Sequence, residues 1–192
     1  MANKIKYGLK NVYYAIATIA SNNSATYGTP VAIPGAVSLS MEPQGDNTPF
    51  YADNIVYWTG ISNTGYQGDL EIARVPDSFK IDVLKYLVSG NKLLVEDANV
   101  SPVHFALMFQ FEGDEHGTRH VMYNCVAARP SQAGSTKTEN IEPQTETLSL
   151  TATTIYVAAL DTDVVKSETY ASTSSSAYNT WFSSVTLPTA TT

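Results

Sequence analysis

Apolar and polar side chains alternate with a period of two along most of this chain, and no other feature limits its fold so tightly. Successive side chains of a strand point to opposite faces, so the pattern marks half-buried strands. In NVYYAIATIA, Val12, Tyr14, Ile16 and Thr18 fall on one face, with Tyr13, Ala15, Ala17 and Ile19 on the other. AVSLSME sets Val37, Leu39 and Met41 inward against Ser38, Ser40 and Glu42. DLEIARVP sets Leu70, Ile72 and Arg74 opposite Glu71, Ala73 and Val75. VHFALMFQF carries Val103, Phe105, Leu107, Phe109 and Phe111 on one face, and RHVMYNCVA returns after a turn-like EGDEHGT. QTETLSLTATTIYVAAL, one long strand or two, opposes Leu148, Leu150 and Ala152 to a hydroxyl row of Thr147, Ser149, Thr151 and Thr153.

One segment departs from the pattern. In PDSFKIDVLKYLVSGN, Phe79, Val83 and Leu87 recur at four-residue spacing beside Leu84 and Val88, which predicts a helix over about 77–89. Asp77 or Ser78 suits its start and Gly90 its exit, and Asp82 and Lys85 can pair on its wet face. So short a helix needs a sheet to lie on. Three long excursions interrupt the strands, at 43–54, expected as a loop between subunits, at 129–143 and at 161–192. The expectation is one mainly β domain spanning 1–192, with a docked helix, an N-terminal arm over about 1–10 and a C-terminal arm over about 161–192.

Charge narrows the function. Only 15% of residues are charged, against roughly 25% in typical soluble domains, so part of the surface is expected to be covered by other protein. The net charge of −7 and the lack of a Lys/Arg cluster argue against holding nucleic acid by its phosphates. A single cysteine, Cys125, excludes an intrachain disulfide and lies in an apolar run, where a buried inert thiol is expected. The first 22 residues alternate and are rich in Tyr and Thr, unlike a signal peptide, and no run reaches the roughly 20 apolar residues of a membrane span.

Catalytic chemistry finds little support. FEGDEHGTRH gathers Glu112, Asp114, Glu115, His116 and His120, but the two histidines straddle a Gly-containing turn and match no metal-ligand spacing. No nucleophile elbow or glycine-rich phosphate loop is present, and Cys125 lacks an electropositive setting. No cofactor and no enzymatic activity are expected. The stretch PFYADNIVYWTG is the unusual one, with Phe50, Tyr51, Tyr57 and Trp58 in twelve residues around Asp53 and Asn54. Three readings stand. Tyr57 and Trp58 belong to a core strand, the segment is an arm between subunits, or Tyr51, Tyr57 and Trp58 form a carbohydrate platform of an adhesin-like module.

FYADNIVYWTGISNTGYQGDLEIARVPDSFKIDVL resembles the middle of major tail proteins of long non-contractile-tailed phages of Gram-positive bacteria. The residues that carry the likeness are Ala52, Asp53, Asn54, Tyr57, Asn63, Gly65, Tyr66, Gly68, Leu70, Glu71, Ala73, Pro76 and Phe79. PQTETLSLTAT and WFSSV, which contains Trp181 and Phe182, are also similar. The resemblance implies a β-sandwich or barrel-like tail tube fold with a flanking helix, assembled as hexameric rings stacked into a tube. It implies a virion protein, made in the host bacterial cytoplasm, whose partners are its own copies, the tape measure protein, and the tail terminator and distal tail proteins. Double-stranded DNA would pass through without specific binding, and no membrane is involved. Phe50, Tyr51, Asp53, Asn54, Tyr57, Trp58, Tyr66, Trp181 and Phe182 are the residues expected at subunit interfaces. The short C-terminal tail shows no immunoglobulin-like decoration domain, which some tail proteins append.

Overall fold

The computed structural model describes residues 5–113, 116–136 and 143–190. The chain begins with the long strand β1 (Tyr7–Ile19), followed by the short strands β2 (Ala25–Tyr27) and β3 (Val31–Ala32). Next come β4 (Ala36–Gln44), β5 (Asn47–Ala52), β6 (Ile55–Ile61) and β7 (Gly65–Ile72). A six-residue helix α1 (Asp77–Asp82) leads to β8 (Leu87–Val88) and β9 (Leu94–Val95). The central strands β10 (Phe105–Glu112), β11 (Arg119–Ala127) and β12 (Glu146–Thr153) follow. The chain ends with β13 (Ile155–Val157), β14 (Thr162–Val164), β15 (Lys166–Glu168) and a second short helix α2 (Ser175–Thr180).

The protein is mainly β. Its large sheet runs β2-β1-β10-β11-β12-β7-β4, with β3 beside β1 and β15 beside β11. All these pairings are antiparallel. The sheet curls until β1 and β4 touch, but no ladder joins them, so it stays open rather than closing into a barrel. One core fills the inside of the curl. Tyr14, Leu70, Ile72, Phe105, Leu107, Leu148 and Leu150 reach it from the strands, as the alternation requires. Phe79 of α1 packs edge-on against Tyr14 at 5.1 Å and Phe105 at 5.4 Å, which docks the helix over the core. Truncating a ring buried in this way costs about 3–5 kcal/mol. The opposite face carries a second core of Ala15, Ala106, Met108, Val121 and Tyr123, covered by Ile155, Val157 and Trp181.

Four expectations need correction. The helix ends at Asp82 rather than near 89, because Lys85 takes a left-handed φ of 60° and Ser89 to Lys92 make a tight turn. Leu87 and Val88 therefore pair with Leu94 and Val95 as a small hairpin, exposed rather than on the core. Asp82 accepts from the Tyr14 hydroxyl at 2.8 Å instead of meeting Lys85. Val37 points outward, since a bulge between Ala36 and Ser38 makes it the extra residue while Leu39 and Met41 keep the core side. Beyond Ile72 the strand is over and the chain bends, so Val75 is buried and Arg74 is exposed, the reverse of continued alternation. Separately from these four, much of the segment after residue 160 packs on its own chain through β15, α2 and Trp181.

Candidate assembly surface

The aromatic stretch forms a hairpin that belongs to neither core. Among the described residues β5 and β6 pair only with each other, and the turn between them is Asp53–Asn54, with φ of 51° and 64°. Two successive left-handed residues make a type I′ turn, whose twist matches the strands it joins, and Asp and Asn tolerate that conformation. The ladder of β4 and β7 runs into the hairpin, because Thr64 N donates to Gln44 O at 2.9 Å and Ser62 N to Asp46 O at 3.0 Å. The arm therefore carries on the edge of the large sheet and extends about 25 Å past Gln44 at ordinary strand rise.

Both faces of the arm are apolar. Phe50 and Trp58 are cross-strand partners, Tyr51 opposes Val56, and a bulge makes Tyr57 the extra residue. Phe50, Tyr51, Ile55, Val56, Tyr57, Trp58 and Ile61 are between 51% and 83% exposed. A Cβ on Gly60 would come within 2.5 Å of the Trp58 ring, so glycine lets the indole lie along the arm. An isolated two-stranded hairpin is marginal in water, and a large exposed apolar patch marks a contact surface. The core-strand reading of Tyr57 and Trp58 is therefore wrong. A flat carbohydrate platform also fits poorly, since Tyr51 and Trp58 belong to cross-strand pairs one step apart.

The remaining expected residues lie elsewhere. Tyr66, at the base of the arm, is half-buried with the Lys166 ammonium 5.2 Å from its ring centre. Trp181 is 4% exposed and donates from Nε1 to the His120 carbonyl, and Phe182 stacks on Tyr13 at 5.1 Å. The Arg119 guanidinium holds this C-terminal segment down, stacking on Tyr178 at 3.8 Å and donating to its carbonyl oxygen. Trp181 and Phe182 thus pack within their own chain and are not brought together with the arm. Cys125 is fully buried, and burial pushes its thiol up to about 12. Asp114 and Glu115 lie outside the described residues. His120 stacks on Phe109 and sits 3.2 Å from Glu168; burial lowers its imidazole below the ordinary value against the pull of that carboxylate. Among the described residues no three His, Cys, Asp or Glu side chains gather as a metal site.

A second surface escaped the sequence. On the outer face of β4, β7 and β12, cross-strand register sets Ser38, Glu71 and Thr147 in one row. Ser40, Asp69 and Ser149 form the next, and Glu42, Gln67 and Thr151 the third. Thr145 and Ser38 donate to Glu71 at 2.6 and 2.9 Å, which holds its carboxyl below the ordinary value. Ser149 donates to Asp69 at 2.7 Å. No Lys or Arg lies on these three strands, so the face is acidic and hydroxyl-lined. The hydroxyl row of β12 was legible in the sequence; its carboxylate partners depend on nonlocal register. β4 ends the hydrogen-bonded path, and among the described residues its other edge pairs with no strand.

A family model described as phage tail tube protein matches residues 2–184, nearly the whole chain. No curated protein matches.

Proposed function

Because the chain belongs to the phage tail tube protein family and is a structural component of the virion tail, we propose that its copies form hexameric rings that stack into the tube through which DNA leaves the particle. Its role is mechanical, with no catalytic step. The tape measure protein would occupy the bore during assembly, with tail terminator and distal tail proteins at the ends. Synthesis would take place in the host cytoplasm.

The observation that carries this reading is the aromatic arm, whose two apolar faces have no cover in the isolated chain. A neighbouring copy supplies that cover. The edge of β4 that pairs with no strand among the described residues supports joining of sheets between copies, which removes an unpaired edge that otherwise invites aggregation. The acidic rows of β4, β7 and β12 suit the wall of a bore, since like charge keeps DNA phosphates from binding while the duplex slides. Asp69→Lys should therefore leave tubes intact and retard DNA passage.

Replacing residues 47–61 by a short turn between Asp46 and Ser62 tests the arm. The variant should keep the unfolding transition of the parent and lose tube formation by electron microscopy. Tubes formed normally by this well-folded variant would remove the arm from the mechanism.

A further inference from the structure

We infer that the small hairpin β8–β9 receives the aromatic arm of a neighbouring copy, so that chains join head to tail. This rests on the tail tube reading for the existence of the assembly and names the surface that meets the arm.

The first ground is topology. β12 is antiparallel to both β7 and β11, so β7 and β11 point the same way. The aromatic arm grows from the start of β7, whereas α1 and β8–β9 follow its end. Arg129, just past the end of β11, ties the small hairpin down: Nη1 lies 2.9 Å from Glu96 Oε1, and Nη2 donates to the Asp97 carbonyl at 2.9 Å. The Tyr86 hydroxyl donates to Glu96 Oε2 at 2.8 Å. The two hairpins thus leave opposite ends of one sheet, and an arm that points away cannot reach the β8–β9 of its own chain.

The second ground is complementary chemistry. Leu87, Val88, Leu93, Leu94 and Val95 are 38% to 59% exposed, an aliphatic surface to set against the aromatics of the arm. Residues 85–95 contain Lys85 and Lys92 and no acid, whereas residues 47–61 contain Asp53 and no base. Pairing like hairpins would bring Asp53 against Asp53 or lysines against lysines. Pairing unlike ones joins opposite charges, and such complementarity sets orientation and suppresses the wrong partner. A contact between two different surfaces that does not close on itself propagates as an open fibre.

Disulfide trapping tests the contact in the full chain, since Cys125 is buried and contributes no background. Tyr57→Cys with Leu93→Cys in one chain, assembled and then oxidised, should give a denaturing-gel ladder that continues beyond six chains. Either single variant should give no ladder. A second arm uses charge: Lys85→Glu with Lys92→Glu should raise the concentration needed for assembly roughly tenfold at low salt, and adding Asp53→Asn should restore much of it. Normal tubes with no ladder and no charge effect would overturn the β8–β9 contact while leaving the tail tube reading intact. Absence of assembly by the parent protein itself would instead overturn the tail tube reading.

Discussion

The two tryptophans should respond to truncation in opposite ways. A tryptophan buries about 150–250 Å² when enclosed, and Trp181 is 4% exposed among Tyr123, Val121 and Ile155. At about 25 cal/mol per Å², this gives roughly 4–6 kcal/mol as an upper bound, in line with the 3–5 kcal/mol usual for large aromatics changed to alanine. For a chain of this size each kcal/mol moves the unfolding midpoint by about 2–4 °C, so Trp181→Ala should lower it by roughly 6–20 °C. Trp58 is 61% exposed and touches its own arm, so Trp58→Ala should change monomer stability by less than about 1 kcal/mol. If the arm is covered in the assembly, loss of that indole should cost about 2–4 kcal/mol per contact and raise the critical concentration roughly 30- to 700-fold. Thermal unfolding of the monomer and sedimentation of the assembly measure both effects. A Trp58→Ala variant that unfolds as early as Trp181→Ala and assembles like the parent would refute the division between core and contact surface.

Two further substitutions examine the sheet that carries the arm. A Cβ at Gly68 would lie 1.8 Å from the Ser40 carbonyl oxygen, a backbone atom, so Gly68→Ala should destabilise by about 1–3 kcal/mol or more through forced separation of β4 and β7. An unchanged unfolding midpoint would contradict that close approach. Hydrogen bonds from Thr145 and Ser38 hold the Glu71 carboxyl below its ordinary value of 4.5. Its stabilising contribution is therefore complete above that pH and is lost as pH falls through the lowered folded-state value. An NMR titration should place the Glu71 midpoint low in the parent and higher after Thr145→Val with Ser38→Ala; identical midpoints would exclude these bonds as the cause.

Much of this fold was legible because its strands are half-buried. β12 alternates without interruption, and Leu148, Leu150 and Ala152 are buried while Thr147, Ser149 and Thr151 are exposed. In β1 and β10 the two faces were also separated as found, although β10 is covered on both sides. The errors arose where turn chemistry outweighed side-chain spacing. Leu87 and Val88 have helical spacing from Phe79 and Val83, but the Ser-Gly-Asn-Lys turn after them favours a hairpin. A single bulge turned Val37 outward. The arm was found by composition, yet its shape depended on reading Asp53–Asn54 as a two-residue turn. The acidic face could not be read in advance, because Asp69 meets Ser40 and Ser149 only through pairing of distant strands.

The most direct measurement is an electron cryomicroscopy reconstruction of the purified protein at concentrations that favour assembly. The account predicts hollow tubes of uniform bore built from sixfold rings, with residues 47–61 enclosed between copies. A protein that stays solitary at every concentration, or tubes in which Phe50, Tyr51 and Trp58 remain open to solvent, would contradict it.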